Sequence, residues 1–220
     1  MADPRFLRNK DIIDQKLLTE ALIVGAGGIG SELVVQLAIM GFKSLTVYDF
    51  DILEKHNLSS TKYPEKFLGV AKVIAAKESA IMYNSNCTVI ENNRAFDETC
   101  TALPITIVCT DSMKSRKIVY RKWKELDNRK LFIDVRMSAL TMQMVTVTKE
   151  HDAYEDKYWF SDKEVEPLPC TAKHTIFTAN LAAGNTVKNV FLVLMGHGFW
   201  AYEWTTFSPS YFEGKDWMEE

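Results

Sequence analysis

Residues 22–31 read Leu22-Ile23-Val24-Gly25-Ala26-Gly27-Gly28-Ile29-Gly30-Ser31. The apolar run 21–24 suits a central parallel strand covered on both faces, and it leads straight into a glycine-rich turn. Gly25 permits the tight turn, Gly27 lets the backbone approach a phosphate, and Gly30 allows close helix–strand packing, with Gly28 counted in the same turn. A helix over about 29–40 follows, and the free N–H groups and dipole at its start favour a bound anion. Glycine turns also serve packing alone, but the strand and the helix that a nucleotide-binding turn requires both flank this one.

Outward from that turn, the pattern alternates. Strands are predicted at 44–49, 87–90, 105–109, 131–135 and 140–148, and helices at 70–82, 111–126 and 175–195. The order implies an α/β fold: a doubly wound, mostly parallel Rossmann-like sheet. An antiparallel C-terminal extension, with a late strand within 199–207, completes it. Residues 5–18 read as an amphipathic arm or helix with Phe6, Ile12, Ile13, Leu17 and Leu18 on its apolar side. Between the sixth strand and the last helix, about 149–170, acidic and aromatic residues dominate. That stretch is read as a loop crossing the nucleotide site, with a surface insertion as the alternative. The aromatic residues near the end (Phe199, Trp200, Tyr202, Trp204 and Phe207 among them) are read as a packed tail, with a partner surface as the alternative. No internal repeat or linker divides the 220 residues, so one domain is expected over 1–220.

Composition narrows the function classes. Apolar residues make up 47% and charged residues 25%, as in soluble globular chains. A formal net charge of -3 supplies no basic field for a nucleic-acid backbone, so nucleic acid is not expected as a partner. No apolar run reaches the length of a membrane span, and the first ten residues are too polar for a secretory signal. The four cysteines (Cys87, Cys100, Cys109, Cys170) form no CxxC pair, which excludes the usual structural zinc spacing and a disulfide framework. A cytoplasmic chain with reduced thiols is expected, with Cys87 and Cys109 as core residues.

Asp49 stands about twenty residues beyond the glycine turn, where a carboxylate can bond ribose hydroxyls. Taken with the turn alone, it does not separate ATP from a nicotinamide dinucleotide. Asp49-Phe50-Asp51 is followed by Asn57-Leu58, by Gly69-Val70-Ala71-Lys72 entering a helix, and by Cys109-Thr110-Asp111-Ser112 with Arg116 beyond. This ordered set resembles the adenylation domain of the ThiF/MoeB-like family, which includes the ubiquitin-activating enzymes. Arg5-Phe6-Leu7-Arg8-Asn9 is similar to that family's amino-terminal arm, and the resemblance runs from Arg5 to about Gly196.

The resemblance implies a role for each matching residue. Asp49 would bond the ribose, Asp51 would shape the nucleotide and metal site, and Asn57 and Lys72 would face the triphosphate of ATP. Asp111 would hold Mg²⁺, although a carboxylate there also reads as a helix N-cap. Arg116 belongs to the same nucleotide-facing element. Arg8 would reach the phosphates of a neighbouring subunit, which implies a homodimer. Pro167-Leu168-Pro169-Cys170-Thr171 looks like the segment that carries the thioester-forming cysteine of ubiquitin-activating enzymes, the alternative being an inert packed thiol. The implied activity is ATP-dependent adenylation of a C-terminal carboxylate on a ubiquitin-like protein or peptide, then transfer to Cys170. A carboxylate is already ionised near neutral pH, so no general base is needed.

One departure stands out. The family places an arginine two or three residues after the asparagine, whereas Asn57-Leu58 is followed here by Ser59-Ser60-Thr61. Lys62 or Lys66 could bring the charge, but without the bidentate fork of arginine. A weakened nucleotide-binding pseudoenzyme or regulatory dimer is therefore the alternative function. A nicotinamide-dependent oxidoreductase ranks third, because it leaves Asp51, Asn57, Asp111 and Cys170 unexplained.

Overall fold

In β1 (Glu20–Val24), Ala21 and Ile23 point to one side of the sheet while Leu22 and Val24 point to the other, and all four are buried. Such a strand belongs in the middle of a sheet. The computed structural model describes residues 3–164 and 174–207. It places β1 between β2 (Ser44–Tyr48) and β4 (Ile105–Val108), both parallel to it. β3 (Thr88–Asn92) pairs parallel with β2, and β5 (Leu131–Ser138) pairs parallel with β4. β6 (Thr141–Thr148) and β7 (Tyr202–Thr206) then add antiparallel, giving the order β3-β2-β1-β4-β5-β6-β7. The α/β, doubly wound and mostly parallel sheet with an antiparallel extension is thus the observed fold.

Register sets the position of the site. Val24 lies opposite Tyr48 on one side and Val108 on the other, so Gly25, Asp49 and Cys109 leave the sheet at the same level. β1 and β4 are neighbours whose connections run to opposite faces, which makes the crevice at their C-terminal ends the switch point of the sheet.

On one face, α1 (Gly28–Met40) packs between α2 (Lys72–Tyr83) and α4 (Ile176–Leu194). α1 is apolar nearly all round, and its Leu33, Val34, Leu37 and Ala38 are fully buried there. The other face carries α3 (Met113–Lys124), whose Val119, Tyr120 and Trp123 close over Val108 and Phe132. Residues 149–164 run back along α3 toward its N-terminus. Asp152 accepts from the Tyr120 hydroxyl (2.7 Å), Glu155 meets Lys117 (3.5 Å), and the Trp159 indole N–H donates to Met113 O (3.1 Å). The described part of the acidic stretch is therefore a strap fastened to α3. Its described end and the start of α4 lie on opposite faces of the sheet.

Three expectations change. The arm over 5–18 forms a single tight turn (Pro4–Phe6) and further turns instead of a helix. Local side-chain bonds replace helical ones there: Asp3 accepts from Arg5 N and Asp14 from Lys16 N. Ile12, assigned to the apolar side, is 62% exposed. β5 extends beyond 135 to Ser138 because the tight turn into β6 lets the two strands pair along their whole length. The aromatic tail is only partly packed where it is described: Phe207 meets Phe177 and Tyr202 stacks on Tyr158, while Trp200 and Trp204 are exposed. Among the described residues no helix is long and apolar enough to cross a membrane.

Candidate functional site

Four glycines shape the turn after β1, for different reasons. Gly25 has φ +104°, and a Cβ there would lie 2.9 Å from the Cys109 carbonyl. A Cβ on Gly30 would lie 2.0 Å from Gly25 O, and one on Gly28 would lie 2.8 Å from Ser60 O. These three are bare because the chain packs against itself. Gly27 is not: a Cβ there would meet nothing within 4 Å among the described residues. Gly27 caps α1 without a side-chain hydrogen bond, so open space lies over a helix N-terminus. That combination suits the backbone approach of a phosphate.

Asp49 braces the turn. Its carboxylate accepts from Ala26 N (2.6 Å) and Asp51 N (2.8 Å). Burial raises the carboxyl above its usual range, and the two N–H donors oppose that shift. Tyr63, fully enclosed, donates its hydroxyl to Ala26 O (2.8 Å), while Ser31 Oγ donates to Gly28 O and accepts from Lys62 N. Burial drives the Tyr63 hydroxyl well above its ordinary pKa, so it stays a donor. Beneath the turn, Cys109 Sγ donates to Gly25 O (3.1 Å), and burial pushes its thiol up to about 12. This half-buried thiol packs against the core, and Cys87 is buried in it.

Lys72 opens α2 and is nearly enclosed, its ammonium 2.8 Å from Asp51 Oδ2. Asn57 Oδ1 accepts from Glu54 N (2.9 Å) in a capping box around a short turn, which leaves its Nδ2 without a partner among the described residues. Asp51, Asn57 and Lys72 thus lie on one side of the crevice. Lys62, one candidate for the missing arginine's charge, is engaged with Glu32 (2.9 Å), and Lys66 lies over the Phe67 ring (4.9 Å).

The other side is built by the turn after β4. Asp111 is exposed and makes no hydrogen bond or ion pair among the described residues. It is not the N-cap of α3. Ser112 takes that place, accepting from Ser115 N, and Asp162 of the strap accepts from Met113 N (2.6 Å) and Lys114 N (3.2 Å). With two other side chains satisfying that helix end, Asp111 remains an uncommitted carboxylate. The neighbouring Thr110 Oγ1 is buried without a partner among the described residues.

Arg116 corrects a further expectation. It does not face the crevice but is buried against Asp134, with Nη1 donating to Val135 O (3.0 Å) and Nη2 to Thr110 O. Asp134, Arg136, Tyr154 and Tyr63 were not singled out from the sequence. The available signal was a carboxylate inside the otherwise apolar run 131–135, because a charge in a central strand requires a buried partner.

Arg8 is exposed on the amino-terminal arm, whose Phe6 packs at Gly41 and whose Arg5 donates to Tyr83 O (3.1 Å). That is the far end of α1. Thirteen residues rising about 1.5 Å each put ~20 Å between it and the glycine turn. Arg8 is therefore not brought to its own chain's site. Cys170 lies outside the described residues. Among the described residues no cluster of three or more His, Cys, Asp or Glu could hold a metal by itself.

A doubly wound sheet with a glycine turn, a buried lysine and an exposed carboxylate around its switch point defines the class: an α/β protein with a Rossmann-like crevice. The chain belongs to the ThiF family, whose pattern matches residues 10–214. Molybdopterin-synthase adenylyltransferase of Salmonella typhimurium is 32% identical over 118 residues, covering 50% of this chain and 47% of that protein. SUMO-activating enzyme subunit 2 of Dictyostelium discoideum is 28% identical over 113 residues, 48% of this chain and 17% of its own. In both cases the match spans less than half of the relative. Among solved structures, E. coli MccB has a TM-score of 0.71 at 20% identity, covering 90% of this chain and 64% of MccB, a likeness of fold.

Proposed function

We propose that this chain uses ATP to adenylate the C-terminal carboxylate of a ubiquitin-like protein or peptide. The observation that carries the reading is the pairing of open space over Gly27, at the N-terminus of α1, with the uncommitted Asp111 across the same crevice. Curated relatives in the same family include adenylyltransferases and a ubiquitin-like modifier-activating enzyme, and structures of MccB with ATP and with the peptide MccA share the fold.

The residues divide the work. The N–H groups at the start of α1 and the Lys72 ammonium face the phosphates, with Asn57 Nδ2 beside them. Asp49, held by Ala26 and Asp51, offers its remaining lone pairs to the ribose. Asp111 and the partnerless Thr110 hydroxyl fit a hard cation that keeps phosphate oxygens as its other ligands. Mg²⁺ bound there would neutralise charge on the triphosphate. Arg8, remote from its own turn, would serve the site of a second subunit, so the reading includes a homodimer.

The reaction needs alignment more than proton transfer. The donor's carboxylate oxygen forms a bond to the α-phosphorus of ATP, the bond from that phosphorus to the bridging oxygen breaks, and pyrophosphate leaves. Cys170 would then attack the acyl carbon as a thiolate and release AMP. A second reading, a nucleotide-binding regulatory dimer, draws on two observations: Lys62 is held by Glu32, and Ser59-Ser60 stand two and three residues after Asn57 where the family places an arginine.

The test is thermal stabilisation by Mg·ATP and, separately, by NAD, in wild type and Asp111→Ala. Stabilisation by Mg·ATP that shrinks in Asp111→Ala is expected. At about a hundred times the dissociation constant a ligand adds roughly 2.7 kcal/mol. Stabilisation by NAD alone would overturn the reading. Exchange of labelled pyrophosphate into ATP, dependent on an added carboxyl donor, separates the enzyme from the regulatory dimer.

A further inference from the structure

β5 carries Asp134 in register with Val108, two residues before Thr110. Its carboxylate is fully buried and shared by three donors. Arg116 of α3 takes Oδ1, while Arg136 Nε (3.0 Å) and the Tyr154 hydroxyl (2.5 Å) take Oδ2. Each donor leads elsewhere. Arg116 also binds the carbonyls of Thr110 and Val135, so it holds the turn that presents Asp111. Arg136 also donates to Tyr158 O (3.0 Å), and Tyr154 is buried between Tyr120 and Phe132, so both secure the strap on α3. The strap's Asp162 in turn satisfies the N-terminal N–H groups of α3, the duty that Asp111 would otherwise meet.

We propose that Asp134 is the positioning residue of the nucleotide site: through Arg116 it fixes the Thr110–Asp111 turn, and through Tyr154 and Arg136 it locks the strap that leaves Asp111 free. Asp134, Arg116 and Tyr154 are buried, and Arg136 is spent on Asp134 and on Tyr158 O, so the four act through Asp111. A carboxylate aimed by buried partners pre-orients a metal ligand, and the loss of such partners weakens metal binding by about tenfold to a hundredfold. The inference rests on the reading of the crevice as a Mg·ATP site.

The experiment is calorimetric titration of the full chain with ATP, once with excess Mg²⁺ and once in EDTA. Wild type is compared with Arg116→Lys, Asp134→Asn and the milder Tyr154→Phe, each checked for a cooperative melt. In wild type Mg²⁺ tightens ATP binding. In Arg116→Lys and Asp134→Asn that gain drops by about tenfold or more, while binding in EDTA stays within about twofold. Tyr154→Phe, which removes one hydroxyl from the node, shifts the gain in the same direction by less, and it remains informative should Asp134→Asn not fold. A merely structural node would change both titrations equally. Folded variants that keep the wild-type gain, or lose binding in EDTA just as much, overturn the positioning role. A wild type that binds ATP in neither buffer overturns the nucleotide reading and this inference with it.

Discussion

Against one face of the sheet, α1 presses Leu33, Val34, Leu37 and Ala38, with small residues of α2 and α4 packed beside them. Against the other, the rings of Tyr120, Trp123, Phe132 and Tyr154 meet at centroid distances of 4.6–6.3 Å around a buried ionic node. The aliphatic face needs only matching shape and dry contact, and it yields a rigid platform for the glycine turn. The aromatic face is more demanding. Burying Asp134 is costly unless each of its oxygens is bonded, so its partners must all arrive in one geometry. The first arrangement supplies stability and the second supplies position, and the crevice between β1 and β4 draws on both.

Breaking the node is expected to have the largest effect. Asp134→Ala leaves Arg116 and Arg136 facing a buried void without their counter-charge, a loss of about 3–5 kcal/mol in chemical denaturation. The mirror test on the aliphatic side is a pair of glycine substitutions. Gly30→Ala drives a methyl into Gly25 O, with an expected cost of about 1–3 kcal/mol. Gly27→Ala meets no atom among the described residues, so its cost should be limited to the N-cap preference for glycine over alanine, roughly 0.5–1 kcal/mol, while ATP binding weakens, since the methyl occupies the space left for phosphate. Equal destabilisation by the two would erase the distinction drawn between these glycines.

The smallest effect concerns acid. Burial raises the Asp134 carboxyl, but Arg116, Arg136 and Tyr154 outweigh it and hold the group below the ordinary 3.8. The unfolded chain therefore takes up this proton at a higher pH than the native state does. The stabilisation is complete above the ordinary value and drains away as pH falls from there through the lowered native value. The slope of melting temperature against pH, measured from about 5 down to 3, should be shallower in Asp134→Asn than in wild type. An unchanged slope would mean that the node's charge contributes nothing to acid stability.

Much of the fold was legible because it is written in local patterns. The run 21–24 followed by four glycines specifies strand, turn and helix within one window. The alternation of apolar runs with helical stretches then leaves few topologies open. Asp49, Asp51, Asn57, Lys72 and Asp111 could be named because they lie at strand ends and helix starts, places that chain order reveals. Arg8 could be named too, yet the structure puts it at the opposite end of α1 from the turn. Arg116 was named as nucleotide-facing, and it is buried against Asp134 instead. Its i-to-j partner is 18 residues away on another strand, and nothing in the spacing tells an arginine whether to turn toward phosphate or toward a buried carboxylate.

From sequence alone came the ThiF-like layout, the glycine turn and the residues ranged along the edge of the crevice, since each follows from contacts between near neighbours in the chain. Only the tertiary structure decided which groups are committed and which are free. Ser112 and Asp162 take the helix end, Glu32 takes Lys62, Asp134 takes Arg116, and Asp111 is left open. Apart from the local Ser112 cap, those choices bring together side chains far apart in sequence. For Glu32 and Asp134 burial settles the choice, because an enclosed charge must find a partner wherever the packed fold supplies one, whereas Asp162 reaches the helix end because the strap is fastened along α3.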